Sequence, residues 1–159
     1  YRDMVVDPFV GAGVEVGCGV KGKPLWEPKL MVDLVYRPSG VLSSGFTDQA
    51  PTKNQVVAGQ HRHKFLGRNA SNLVFWVMIY GVQPGDEESL RIIMPDGHVL
   101  VQKTGQPAKK HNIRWFTYSG KRAQGSWMPG EYRGEYKLVR KTESGGKVVL
   151  QSTTSVHVE

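Results

Sequence analysis

Two histidines stand two residues apart at His61-Arg62-His63. On a β-strand, alternate residues face the same side, so both imidazoles would point one way and could hold a single metal ion. Zinc would need a third protein ligand, and a catalytic zinc an open position as well. No Asp or Glu lies between Gln49 and Gly85, so a third ligand has to come from far away, and His98 or His111 could serve. A basic, solvated loop accounts for the same three residues without a metal. Asp86-Glu87-Glu88 follows Pro84-Gly85. Paired carboxylates can bind a cation or move protons, but acids in a turn ahead of a strand are expected to sit in water. Cys18 is the one cysteine and has no histidine close in sequence to activate it. It cannot form an internal disulfide: it is a free thiol, or it pairs with a part of the protein outside this chain. The Gly11–Gly22 stretch has no Lys-Ser/Thr ending, so it is not a phosphate loop. There is no Gly-x-Ser-x-Gly elbow either. The chain therefore carries no complete catalytic set of its own.

Charge is a stronger signal. The formal net charge is +7 over 159 residues, and the positive residues are clustered. The acid-free stretch 49–85 holds Lys53, Arg62, Lys64 and Arg68, and a second, 97–130, holds Lys103, Lys109, Lys110, Arg114, Lys121 and Arg122. Such a surface attracts polyanions: wall polymers, lipid head groups or nucleic acid. Trp76 and Trp115 lie inside apolar runs and belong in a core, whereas Tyr118 and Trp127 flank the second basic stretch. Lys103, Lys109, Lys110, Arg114, Tyr118, Lys121, Arg122 and Trp127 are thus the candidate ligand surface. No nucleic-acid-binding motif is present, so nucleic acid is not the expected partner. The longest apolar run, Leu73–Tyr80, is far short of the roughly 20 residues a membrane-spanning helix needs.

Three regions of different texture must position these residues. Residues 1–10 contain one short apolar strand, Met4-Val5-Val6, stopped by Asp7-Pro8; a lone strand needs a sheet to join. Residues 11–54 are Gly- and Pro-rich and read as an extended linker packed on a domain, with Leu30–Tyr36 a possible strand. Residues 55–159 alternate or run apolar at 73–80, 90–94, 98–101, 113–118, 132–138 and 148–158, with turn residues between. Pro95-Asp96-Gly97 between two apolar runs marks a hairpin, and Pro129-Gly130 suits a type II turn whose corner Tyr132 could tie down through its hydroxyl. A helical turn is expected near Pro107–His111. The spacing predicts an all-β fold: an antiparallel immunoglobulin-like or fibronectin-like β-sandwich preceded by an extended segment.

The opening Tyr-Arg-Asp-Met-Val-Val-Asp-Pro-Phe-Val resembles the end of the catalytic domain in lysostaphin/LytM-type zinc metallopeptidases, which closes on an apolar-Asp-Pro sequence. The stretches holding Cys18-Gly19, Leu25-Trp26 and Tyr36–Phe46, and the segment Trp127–Arg140, are similar to the tail of a Gram-negative secreted branch of that family. The resemblance implies that residues 1–10 are the closing strand of a peptidase domain that precedes this chain. It implies a non-catalytic C-terminal module of a periplasmic or secreted, peptidoglycan-cleaving zinc endopeptidase. The zinc and its ligands would belong to the upstream domain, and no catalytic or metal residue is carried over to this chain. Its own catalytic domain, peptidoglycan and anionic envelope polymers are the implied partners.

Overall fold

The computed structural model describes residues 6–11, 22–31, 34, 37–143 and 145–159, which fall into two compact units, Tyr1–Arg37 and Pro38–Glu159. Cys18, and Met4 and Val5 of the expected closing strand, lie outside the described residues.

In the first unit, Asp7 organises a tight turn. Its carbonyl accepts from the Val10 and Gly11 amides at 3.1 and 2.8 Å, and its carboxylate accepts from the Phe9 amide at 2.8 Å. This is the self-bonding that makes Asp a turn former. The Leu25 amide bonds the Pro8 carbonyl, and the Phe9 and Trp26 rings meet at 6.1 Å. Leu30 and Met31, expected in a strand, belong to a short helix, α1 (Pro28–Met31). Proline at the first helical position explains the difference, because its missing N–H costs nothing there.

The second unit is a β-sandwich. Sheet A has the order β1 (Gly40–Thr47), β3 (Asn72–Val82), β6 (Asn112–Arg122), all antiparallel. Sheet B has the order β2 (Phe65–Leu66), β8 (Gly145–Val158), β7 (Gly130–Thr142), β4 (Glu87–Ile93), β5 (Val99–Thr104), antiparallel except for the two-residue β2–β8 pairing. The six strands expected from the apolar runs are all present, longer than expected. Residues 40–54, expected to be linker, instead contribute the whole edge strand β1 and the start of α2 (Lys53–Val57). The strand signal in Gly-Val-Leu-Ser-Ser-Gly-Phe-Thr is weak because a bulge between Val41 and Ser43 breaks its alternation. Helix α2 is set by a capping box: Gln55 reaches the Thr52 amide at 3.0 Å while the Thr52 hydroxyl accepts from the Gln55 amide. The expected helical turn at 107–111 is absent; those residues bend into β6.

The core lies between the sheets. Phe46, Leu73, Phe75, Val77 and Ile79 of sheet A pack on Leu90, Ile92, Tyr132, Tyr136, Leu138 and Val156 of sheet B. Truncating one of the buried rings, such as Phe75, would cost about 3–5 kcal/mol. β3 is buried on its other face as well, where Val56 of α2 covers Trp76 and Met78, with Phe116 of β6 packed alongside. That double burial is why residues 73–80 form an unbroken apolar run. At the β4–β5 turn the Met94 amide bonds the His98 carbonyl, and Gly97 takes φ +87°, open to glycine without strain. Tyr132 packs edge-on against Trp127 at 6.4 Å, and its buried hydroxyl faces the Met128 backbone without reaching full hydrogen-bond geometry, so ring packing is the firmer hold on this corner. Burial pushes that hydroxyl's pKa up.

Candidate functional site

The acids expected in water are structural. Asp86 is fully enclosed: Arg140 grips it with Nε and Nη2, each at 2.8 Å, and the Gln83 amide donates to it at 2.8 Å. Arg140 also donates to the Ser39 hydroxyl and the Gly81 carbonyl, and the Asp86 bonds raise its already high pKa further. Glu88 is only 8% exposed and points between the sheets. It accepts from Thr117 Oγ1 at 2.9 Å, Trp115 Nε1 at 2.8 Å and the Tyr136 hydroxyl at 3.4 Å. Burial, then the Glu88 charge, drives the Tyr136 hydroxyl far upward. Only Glu87 remains near water, paired with Lys141 at 3.1 Å. With every oxygen of Asp86 and Glu88 already bonded, this cluster holds the fold together.

His61 and His63 do not share a strand face. His61 sits at φ +63°, a left-handed conformation that breaks the alternation on which a shared face depends. It is 9% exposed; its Nδ1 lies 3.1 Å from Thr47 Oγ1, and its carbonyl accepts from Trp76 Nε1 at 2.6 Å. His63 is exposed and makes a single bridge to Phe46. Among the described residues no three His, Cys, Asp or Glu side chains come together to hold a metal ion.

The candidate basic residues are spread along β6. Lys109 and Lys110 precede the strand and Arg114 opens it, while Lys121 and Arg122 close it. At ~3.4 Å per residue the two groups stand roughly 30 Å apart. Lys103 is engaged: its ammonium lies 3.2 Å from the Tyr118 carbonyl and 3.4 Å from Thr117 Oγ1, bonding the free edge of β6. Lysine at an exposed edge also discourages pairing with another chain. Tyr118 is exposed, at 42%. Trp127 is not: it is 8% exposed, with its amide on the Arg68 carbonyl and its Nε1 on the Ala70 carbonyl, both at 2.8 Å. Its role is to anchor the 123–128 loop against residues 68–70.

That anchoring builds a cleft of about 490 Å³ at one end of the sandwich. Arg68, Lys121 and Arg122 supply its charge; Met94, Leu100, Trp127, Met128 and Tyr132 supply apolar lining; Gln124 and Ser126 add polar groups. No carboxylate lines it. None of the three cations is ion-paired among the described residues. Asp96, in the nearby β4–β5 turn, is held by the His98 amide at 3.0 Å and His98 Nδ1 at 3.2 Å. Three cations outside any ion pair, over an apolar and aromatic lining, can hold an anionic group attached to a less polar body. Arg68 belongs to the first basic stretch, expected to contribute to the contact surface, and the fold brings it to Lys121 of the second. A second cleft, of about 560 Å³, lies on the other side of Arg68, but Asp48 and Glu159 share its wall and offset its charge.

No protein-family model and no curated protein matches the chain. Two of the solved structures that match it are a domain of Wzt and a CARDB domain. The C-terminal domain of Wzt superposes with a TM-score of 0.51 at 9% identity, covering 78% of this chain and 75% of that one. A CARDB domain from Pyrococcus furiosus, solved in complex with di-metal ions, gives a TM-score of 0.39 at 14% identity, over 61% of this chain and 81% of that one. At these identities the Wzt likeness concerns architecture alone, and what it establishes is that this chain is a β-sandwich.

Proposed function

We propose that this chain is the non-catalytic C-terminal accessory domain of a periplasmic or secreted, peptidoglycan-directed zinc metalloendopeptidase. In this reading it positions the catalytic domain by binding anionic envelope material through the basic cleft. The observation that carries it is the grouping of Arg68, Lys121 and Arg122, none of them ion-paired among the described residues, around apolar side chains in a cleft whose lining holds no carboxylate. Nothing in that arrangement activates a nucleophile or water; it can attract an anion and seat the body attached to it. The parent enzyme's zinc chemistry would take place in the upstream domain, and this module would raise the local concentration of that domain at its polymer.

Co-sedimentation with purified peptidoglycan sacculi tests the reading, with double-stranded DNA as competitor. The wild-type chain is expected to sediment, and the Arg68→Ala/Lys121→Ala/Arg122→Ala variant to bind roughly tenfold more weakly with an unchanged melting temperature. Equal sedimentation of the variant would remove the cleft from the account. Displacement by DNA at low ionic strength, with a steep salt dependence, would favour a nucleic-acid module instead.

A further inference from the structure

The acidic residues are divided unevenly between the two sheets. None of the three strands of sheet A contains Asp or Glu, whereas β4 and β7 of sheet B carry Glu87, Glu88, Glu131 and Glu135. Strand β6 is the open edge of sheet A, and its two faces differ. Trp115 and Thr117 turn inward to Glu88, so the alternate positions Arg114, Phe116, Tyr118, Gly120 and Arg122 share the outer face. Phe116 confirms this, since it packs beside Trp76 and Met78 beneath α2. Helix α2 covers the β3 part of this face and leaves the β6 part open. There half-buried Phe116 and exposed Tyr118 form a strip with ring centroids 5.8 Å apart, and Phe116 is backed by the fully buried Trp76 at 6.5 Å. Gly120 follows on the same face, where any Cβ would lie 2.5 Å from the Leu73 carbonyl oxygen, so the tight approach of β6 to β3 requires glycine there. Arg122 ends the strip and also lines the cleft.

We infer that the outer face of β6 is a binding track for a linear, sparsely charged anionic glycan, one end of which seats in the cleft. The inference rests on the cleft reading above and adds the length and direction of the ligand. Arg114 and Arg122 stand ~27 Å apart along the strand, with Phe116 and Tyr118 between them. Cation, aromatic surface and cation in that order match a polymer whose anions are separated by sugar rings, the apolar faces of which cover the aromatic rings. A nucleic acid presents a phosphate about every 3.4 Å of each strand, far denser than this track's charges.

Hyaluronan oligosaccharides, linear glycans with one carboxylate per disaccharide, provide the probe. Affinity at fixed ionic strength is measured from the tetrasaccharide upward. The expected result is a rise with length until the oligomer spans β6, then a plateau. Arg114→Ala/Tyr118→Ala weakens the long oligomers roughly fivefold and leaves the tetrasaccharide unchanged, while Arg68→Ala/Lys121→Ala weakens both. A length series that is flat while Arg68→Ala/Lys121→Ala still weakens the tetrasaccharide overturns the track alone. Unchanged tetrasaccharide binding in Arg68→Ala/Lys121→Ala overturns the cleft and the track's anchored end with it. Tighter binding of single-stranded DNA than of the long hyaluronan overturns the choice of a glycan.

Discussion

Replacing Glu88 with alanine should be among the most damaging single changes to this fold, although the residue looks from the sequence like one of three turn acids. The Glu88 carboxylate accepts three bonds between the sheets, from Thr117, Trp115 and Tyr136. Without it, the Thr117 and Tyr136 groups are left buried and unpaired, at about 1–3 kcal/mol each; the Trp115 ring, half-buried, can recover part of its bond from water. The expected loss is therefore about 4 kcal/mol, a large share of the 5–15 kcal/mol that ordinarily holds a domain together. It should appear as a fall in melting temperature of roughly 10–15 °C. Urea unfolding followed by tryptophan fluorescence gives the free energy directly. A double-mutant cycle with Thr117→Val isolates the mechanism. In the wild type, Thr117→Val removes a made bond and costs stability; in Glu88→Ala it removes an unpaired hydroxyl and should cost nothing or help. A coupling energy of about 1–2 kcal/mol is expected. A loss below about 1 kcal/mol for Glu88→Ala, or equal costs of Thr117→Val in both backgrounds, would refute the argument that an orphaned donor is what the protein cannot tolerate.

Arg140→Ala strands the enclosed Asp86 carboxylate and should cost about 3–5 kcal/mol by chemical denaturation; Arg140→Met with Asp86→Leu should restore much of it, since the penalty is an uncompensated charge. Glu135 is held below the usual carboxylate range first by its bond from Arg91, so its ionised form stabilises the fold. That contribution is fully present above the unfolded-state value near 4.3 and fades as pH falls through the lower folded value. Melting temperatures measured from about pH 5 downward should fall less steeply in Arg91→Ala than in wild type, and parallel curves would contradict the pairing. Metal analysis of the purified chain should find no stoichiometric zinc, with His61→Ala leaving the content unchanged; one zinc per chain lost in that variant would revive a metal site at His61 and His63.

The sandwich was legible where burial writes itself into sequence. Residues 73–80 are apolar throughout because α2 covers one face of β3 and sheet B the other. The Pro95-Asp96-Gly97 hairpin was legible from turn chemistry alone. β1 was not, because its bulge and glycines hide its alternation, nor β2, which is two residues long and held by β8. Glu88 carried a readable signal that turn proximity obscured. Glu88, Leu90 and Ile92 are the buried alternate positions of β4, so the acid sits on the core-facing side of its strand. His61 was misread because a single left-handed residue cancels a period-two argument, and nothing in His-Arg-His announces it. The cleft was half legible: Lys121 and Arg122 were in view together, but Arg68 is placed beside them by tertiary backbone bonds, its carbonyl accepting from the Trp127 amide and its amide donating to the Glu159 carbonyl. Trp127 itself was assigned to the surface for standing beside basic residues, whereas both its N–H groups are spent on the backbone of residues 68–70.

Amide NMR of the isotope-labelled chain titrated with a hyaluronan tetrasaccharide tests the cleft most directly, because it reports where the ligand sits and not only whether it binds. Shifts concentrated at Arg68 and residues 121–128, abolished by the Arg68→Ala/Lys121→Ala/Arg122→Ala changes, are the predicted result. Shifts centred on sheet B, or a pattern that survives those changes, would contradict it.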